Sequence, residues 1–400
     1  MKYTQSKKAD KKVGEDLKKI VPILAEELSP VSIILFGGFG RGEGTYEVTN
    51  SKIIPLNDYD MYVVTKDKIS DDKLEEIGKK CSNLIGRGGK EFVEERDRIY
   101  DKNEFFHVDL RWLDYNKLGK LRRINRTYEL KYGSTIIYGE DVRGKIREIK
   151  IPLSESFRYL INPVGHLLLC MDSRRQRGNF KKDEKFYLLH HIVKSYLAIA
   201  SSLIISNGKF EPNYRKTVEE CKKAYENKFP ELIKKIEWAL DLKLSPENRR
   251  ADNIRKLWRE ALKDLVFTLK YISKKNYGIK SENMIELTRK IYKKIPYVYF
   301  TPYIPLPEFL AKMAFPSQYL LNVMYAKRTK KFRSLIYWKD VGLRIILAGF
   351  LLIDAEENPE NLGEAYKYIK TFASVRSKNL EELREGFLYG FDKYYSQKII

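Results

Sequence analysis

The chain has 400 residues, with 76 Lys plus Arg against 54 Asp plus Glu and a formal net charge of +22 at pH 7. A length of this order predicts two or three domains at about 100–200 residues each. An apolar fraction of 43%, with 28 Tyr and 19 Phe, supplies several cores and excludes disorder as the dominant state.

The first residues (MKYTQSKKADKK) are basic with no apolar run behind them, so they read as a solvated tail rather than a secretory signal. Glu15 to Leu28 then carries a helical apolar stripe through Leu17, Ile20, Val21, Leu24 and Ala25, stopped by Ser29-Pro30. Val31 to Phe36 (VSIILF) reads as a buried strand and runs directly into GGFGRGEG. Tyr59 to Thr65 and Phe105 to Leu113 (FFHVDLRWL) read as two further strands, with a helix over Asp71 to Ile85 between them. Such a series belongs to a small α/β or α+β domain with a short mixed sheet.

Past Pro152 the pattern turns helical, at Gly165–Cys170, Lys185–Ile205, Val218–Ala224 and Ile254–Lys274, with breaks at Asn207-Gly208 and Ser245-Pro246. A third region opens near Pro296 with an aromatic, proline-rich stretch (YVYFTPYIPLPEF). It returns to helices over Leu343–Ile353, Ala365–Phe372 and Leu380–Tyr395. The expected organisation is therefore an α/β catalytic domain over 1–150 and largely α-helical regions over 151–290 and 291–400, with no internal repeat. The apolar run Ile345–Ile353 is bounded by Arg344 and Asp354. It is far short of the ~20 residues of a membrane span and reads as a buried helix. Cys81, Cys170 and Cys221 are too few and too widely spaced for a disulfide framework or a zinc ribbon, which points to a reducing cytoplasm.

The chemistry concentrates in ILFGGFGRGEG, NDYDMYVV and HVDLRW. A dinucleotide fingerprint starting at Gly38 and Gly40 fails, because its third glycine position is Glu43. A P-loop over Gly37 to Gly42 fails because Glu43-Gly44 follows where Lys-Ser/Thr is needed. Asp58 and Asp60, at i and i+2 on an apolar strand, project to one face. Two carboxylates held that close call for a cation, and hard oxygen donors suit Mg²⁺ or Mn²⁺. Asp109, on the separate strand FHVDLRW, supplies a third carboxylate, and such a set can hold two metal ions that clamp a triphosphate. Gly37 and Gly38, directly after a buried strand, let backbone N–H groups approach phosphate oxygens with no Cβ in the way. The competing reading has Asp58 and Asp60 capping an exposed turn and Asp109 paired with Arg111.

Gly37-Gly38, Asp58-x-Asp60 and Asp109, in that order, resemble the catalytic pattern of the DNA polymerase β-like nucleotidyltransferase superfamily. The likeness covers about residues 30–115, and the strand and Tyr-Gly turn within Ile136–Ile146 resemble how such domains end. It implies that Asp58, Asp60 and Asp109 are metal ligands and catalytic residues, that Asp109 helps activate an acceptor hydroxyl, and that Gly37 and Gly38 hold phosphate. Arg41, within GRGEG, is expected to face phosphate. One departure is the 20-residue interval from Gly38 to Asp58, wider than usual in the family, and Thr45–Leu56 is read as an extra loop or hairpin.

The function implied is metal-dependent transfer of an NMP from an NTP, ATP first among the candidates, to an acceptor hydroxyl with release of pyrophosphate. The alternative is a silent nucleotide- or RNA-binding member of the same fold. An RNA 3′ end, a small molecule and a protein side chain all remain open as acceptor. The charge of +22 favours polyanions, whereas interleaved Lys and Glu read equally as a solvated surface. His107, His190-His191, the Arg174–Arg175–Arg177 cluster and the turn NGKFEPNYRK (Asn207 to Lys216) are secondary candidates for the site or the acceptor cleft. Packing or solvation is the simpler reading of each.

Overall fold

The computed structural model describes residues 2–49, 52–56, 58–89, 106–121, 124–170, 172–245, 252–294, 322–323, 325–327, 329–336 and 341–396. The aromatic, proline-rich stretch 297–315 lies outside them. The chain divides into two compact units. One comprises Met1–Ile151, Phe210–Glu220 and Glu237–Arg250; the other comprises Pro152–Lys209, Cys221–Ile236 and Ala251–Ile400.

In the first unit, α1 (Lys7–Leu28) starts well before the expected Glu15, behind a Ser6 N-cap whose side chain accepts from the Ala9 N–H. The basic N-terminus is consequently no solvated tail. Asp10 accepts the N–H groups of Tyr3 (2.9 Å) and Thr4 (2.6 Å), burying both residues, and the Tyr3 carbonyl accepts the Gly44 N–H at 2.9 Å. Composition cannot reveal such an Asp-centred turn, since it depends on one carboxylate meeting two particular amides.

Strand β1 (Ser32–Leu35) leads into a one-turn helix, α2 (Gly37–Gly40). The antiparallel hairpin of β2 (Tyr46–Thr49) and β3 (Lys52–Pro55) fills the long interval before β4 (Asp58–Thr65). Helix α3 (Asp71–Leu84) follows, capped by Ser70, then β5 (His107–Asp114), α4 (Asn125–Tyr132) and β6 (Thr135–Gly139). The sheet order is β5-β4-β1-β6; β1 is antiparallel to β4 and β6, and β4 is parallel to β5. A mixed α+β organisation with a small mixed sheet of four strands thus agrees with the pattern of the sequence.

Alternation along β1 and β4 sorts two cores. Ile33, Leu35, Tyr59, Met61 and Val63 pack with Leu17, Ile20 and Leu24 of α1 and Ile77 of α3. Ile34, Tyr62 and Val64 pack on the opposite face with Leu130, Val142 and Ile146. Each fully buried aliphatic side chain contributes about 1.5–3 kcal/mol, so the sheet is pinned from both sides. Asp58 and Asp60 share the face of Tyr62 and Val64.

The second unit is helical among its described residues. In chain order come α5 (Glu155–Leu169), α6 (Ser173–Gln176), α7 (Lys182–Ile205), α8 (Tyr214–Tyr225), α9 (Pro230–Leu244), α10 (Ile254–Tyr277) and α11 (Met284–Lys294). After these come α12 (Val341–Asp354), α13 (Asn361–Ile369) and α14 (Leu380–Phe391). Residues 210–220 of α8 and the turn before it, and 237–244 of α9, belong to the first unit. Regions 151–290 and 291–400 both contribute to the second, where α10 and α11 pack on α12. Helix α12 is buried all round from Val341 to Ile353, the environment expected of its short apolar run. The segment Glu184–Ile205 of α7 is long and apolar enough to cross a membrane by length and composition, but 83% of that window is buried inside the protein. Cys81, Cys170 and Cys221 are free thiols, all buried.

Candidate active site

The all-buried strand β1 delivers the chain to Gly37, whose φ of +65° lies in the left-handed region. A Cβ there would fall 2.3 Å from Oδ2 of Asp60. The turn is also fixed by the Phe36 N–H, which donates to the Asp60 carbonyl at 2.8 Å. As in any helix, the first turn of α2 leaves N–H groups with no partner inside the helix. The sequence-predicted glycine pair and the Asp58-x-Asp60 pair are thereby brought together at one end of the sheet.

Strand β4 holds its two carboxylates from behind. Tyr59, between them in sequence, points to the other face, where its hydroxyl donates to Asp16 Oδ2 at 3.0 Å. Its ring meets Phe39 and Phe106 edge-on, with centroids 4.9 Å apart in both cases. Asp58 and Asp60 sit within the strand and not on a turn. On the neighbouring parallel strand β5, Asp109 lies directly opposite Asp60, and His107 opposite Asp58. Pairing in register puts all four side chains on one face of the sheet.

Burial pushes the Asp60 carboxyl up to about 7, and the charges of Asp58 and Asp109 push the same way. Arg111 and Arg126 pull it down. Arg111, two residues along β5, donates to Asp109 Oδ2 from Nε at 2.8 Å and from Nη2 at 2.5 Å. Burial works against the Arg111 guanidinium, but Asp109 and Asp60 outweigh it and hold its pKa above the ordinary arginine value. Among the described residues, no three or more His, Cys, Asp or Glu side chains converge to grip a metal ion. The three carboxylates share a face and repel one another, while Asp109 is paired with arginine. Hard carboxylate oxygens on one face could hold a divalent cation, though Arg111 and Arg126 already offset part of their charge and Asp109 would have to leave Arg111 to join them.

Arg41 is placed in an internal clamp. Its Nε lies 3.2 Å from Glu43, its Nη1 3.6 Å from Glu129, and its guanidinium 4.2 Å above the Tyr214 ring. Glu43, almost wholly buried, accepts the N–H groups of Tyr214 (2.8 Å) and Arg215 (3.0 Å), the first residues of α8. The turn before α8 is thus tied to the glycine-rich loop within the first unit.

Two charged groups at the site, Arg111 and Arg126, have no motif signal as site residues. Arg111 is legible only through its i+2 spacing from Asp109, and Arg126 only through the folded position of α4. Elsewhere, His191 stacks on His166 with ring centroids 4.3 Å apart, and burial pulls His166 down to about 3. Arg175 pairs with Glu184 at 3.0 Å and Asp172 at 3.5 Å; the Arg174 side chain lies outside the described residues. Compared with known protein families and with curated proteins, the chain matches no family model and no curated sequence.

Proposed function

We propose that the chain is a metal-dependent nucleotidyltransferase that moves an NMP from an NTP to an acceptor hydroxyl and releases pyrophosphate. The observation that carries this reading is the meeting of Gly37 with Asp60, directly opposite Asp109, on one face at one sheet end. Asp58, Asp60 and Asp109 would hold Mg²⁺ or Mn²⁺, which would neutralise the triphosphate and polarise the reacting oxygens. The N–H groups of the first turn of α2 would donate to phosphate oxygens, and the missing Cβ of Gly37 gives them room. Arg111 and Arg126 lie close enough to the carboxylates to balance charge as substrate enters.

In the transfer itself, the acceptor oxygen forms a bond to the α-phosphorus as the bond from that phosphorus to its bridging oxygen breaks. Pyrophosphate departs with the electron pair, and the hydroxyl proton passes to Asp109. Positioning and charge stabilisation supply most of the acceleration, because the side chains form no covalent intermediate.

The test incubates the protein with Mg²⁺, each α-³²P-labelled NTP and cell extract, then asks whether label becomes RNase-sensitive, protease-sensitive or neither. Transfer that disappears in Asp58→Ala and Asp60→Ala supports the reading; wild-type turnover in either variant overturns it.

One observation favours a second reading. The two-pronged Arg111 contact already neutralises Asp109 within the protein, as a silent nucleotide-binding member of the fold would tolerate. Mg²⁺-dependent NTP binding with no label transferred to any acceptor would select it.

A further inference from the structure

Within the second unit, the turn joining α8 to α9 packs on α10 and assembles an aromatic and cationic ridge. The Phe229 ring meets Phe267 and Tyr271 edge-on, with centroids 5.0 and 5.1 Å away. Phe267 and Tyr271 are one helical turn apart on α10, and Phe267 is 40% exposed. Two lysines share this platform. The Lys228 ammonium lies 4.6 Å from the centre of the Tyr271 ring and 5.2 Å from that of Phe229. Lys275 approaches the Tyr271 ring from elsewhere at 5.9 Å and donates to the Tyr225 hydroxyl at 2.9 Å and to Asn207 Oδ1.

Charge is unbalanced here. Lys228 donates to the Tyr271 hydroxyl at 3.3 Å, so both lysines rest on neutral oxygens and ring faces. The acids nearby are engaged by other cations: Glu226 by Lys222, Asp264 by Lys235, and Glu282 by Lys270. A cation over an exposed ring gains only about 0.5–1 kcal/mol, and that does not remove the repulsion between two ammonium groups sharing one ring. Burial lowers the Lys275 pKa, and Lys228 lowers it further. An anion between the two ammonium groups would offset their repulsion.

We infer that this ridge, built from Lys228, Phe229, Phe267, Tyr271 and Lys275, binds single-stranded nucleic acid. An unpaired base would stack on the exposed Phe267 ring while Lys228 and Lys275, seated over the neighbouring rings, meet successive phosphates, the pairing of stacking platform with cationic track that such ligands use. A duplex hides its base faces and would gain only the charge term. A membrane surface fits less well, because Phe267 alone is exposed among the ridge's large apolar side chains, too little to seat the helix among acyl chains. The inference stands apart from the transferase reading and applies equally to a silent protein.

The test is fluorescence anisotropy of the full chain, without nucleotide or metal, against labelled 20-nucleotide oligouridine and oligothymidine and a 20-base-pair duplex. The single strands should bind more tightly than the duplex. Phe267→Ala should weaken them about tenfold with little change for the duplex, and Phe267→Trp should retain binding. Lys228→Ala with Lys275→Ala should flatten the dependence of log Kd on log salt by about 1.4, near 0.7 per lost phosphate contact. The same pair of changes at Lys8 and Lys11, on α1, should leave single-strand affinity within about twofold, the scatter expected of surface charges outside a site. Oligouridine against oligothymidine tells whether ribose matters. Equal binding of single strand and duplex that ignores Phe267 overturns the inference. So does binding to anionic phosphatidylserine vesicles with none to either oligonucleotide.

Discussion

Gly37 and Asp60 approach so closely that a Cβ at position 37 would lie 2.3 Å from the Asp60 carboxylate, on a backbone already at φ +65°. Gly37→Ala therefore meets strain and collision together. The substitution should cost about 1–3 kcal/mol of stability for the left-handed residue. Because the carboxylate must move, it should lower nucleotide transfer about a hundredfold or more. Gly14, inside α1 with nothing within 4 Å of its would-be Cβ, is the contrasting control. Gly14→Ala should stabilise the protein by about 0.4–1 kcal/mol and leave transfer unchanged. Urea unfolding alongside the label-transfer assay separates the two; a fully active Gly37→Ala would remove the glycine from the site.

The Asp60 carboxyl gives the site a pH signature. Its value rises from an ordinary 3.8 to about 7, through burial and the charges of Asp58 and Asp109. Between those values the folded chain holds more protons than the unfolded one, so stability falls as pH rises from about 4 to 7 and the loss is complete above 7. Asp60→Asn lacks this penalty. Its melting temperature relative to wild type should therefore be higher at pH 8 than at pH 5. Mg²⁺ held by these carboxylates, as proposed, would offset the same repulsion, so it should raise the wild-type melting temperature at pH 8 and have little effect at pH 5. A pH-independent difference between the two proteins would remove Asp60 as the titrating group.

Arg111 and Asp109 should be coupled energetically, since the pair is largely shielded and makes two charge-assisted contacts. A double-mutant cycle with Arg111→Met and Asp109→Asn should yield an interaction energy of about 1–3 kcal/mol. Arg111 also holds the Asp60 value down, so in Arg111→Met the pH at which Mg²⁺ begins to stabilise the fold should move upward. A coupling below about 0.5 kcal/mol would place the pair with ordinary surface ion pairs.

The strands around the site were legible because burial on both faces writes continuous apolar runs. VSIILF became β1 and YDMYVVT, extended by Asp58, became β4, and the i, i+2 spacing of Asp58 and Asp60 placed both on one face, as alternation requires. The hairpin filling the interval before β4 was also among the expectations. Less was legible wherever a carboxylate is spent on backbone N–H groups. Asp10 folds the basic N-terminus onto the glycine loop, and Glu43 reaches residues some 170 positions away. Neither leaves a periodic trace, because each depends on one long-range or turn-forming hydrogen bond. The pairing of Asp60 with Asp109 required the parallel register, which only the folded sheet supplies. Helix α9 (PELIKKIEWALDLKL) was not among the expectations although its sequence is rich in apolar residues, and Ile233, Ile236 and Ala239 are buried in the fold.

Arg41 and Glu43 provide the sharpest division between a structural and a ligand-binding role. Glu43 is the cap of α8, satisfying the N–H groups of Tyr214 and Arg215, and it holds Arg41 against Glu129 and Tyr214. Glu43→Ala removes the acceptor of two partly buried N–H groups, those of Tyr214 and Arg215; water can replace part of it at the exposed Arg215 end, so the loss should be about 1–3 kcal/mol. Glu43→Gln keeps an amide oxygen that can accept one of them, so its loss should be smaller. If the clamp is structural, both variants should lower the urea midpoint while the ATP dissociation constant, measured well inside the folded baseline, stays within about twofold of wild type, the scatter expected of changes outside a binding site. Arg41→Met should behave in the same way, with a milder loss. A variant at either position with wild-type stability and a tenfold weaker ATP complex would show that Arg41 swings from its clamp to the phosphates, as the glycine-loop resemblance led one to expect.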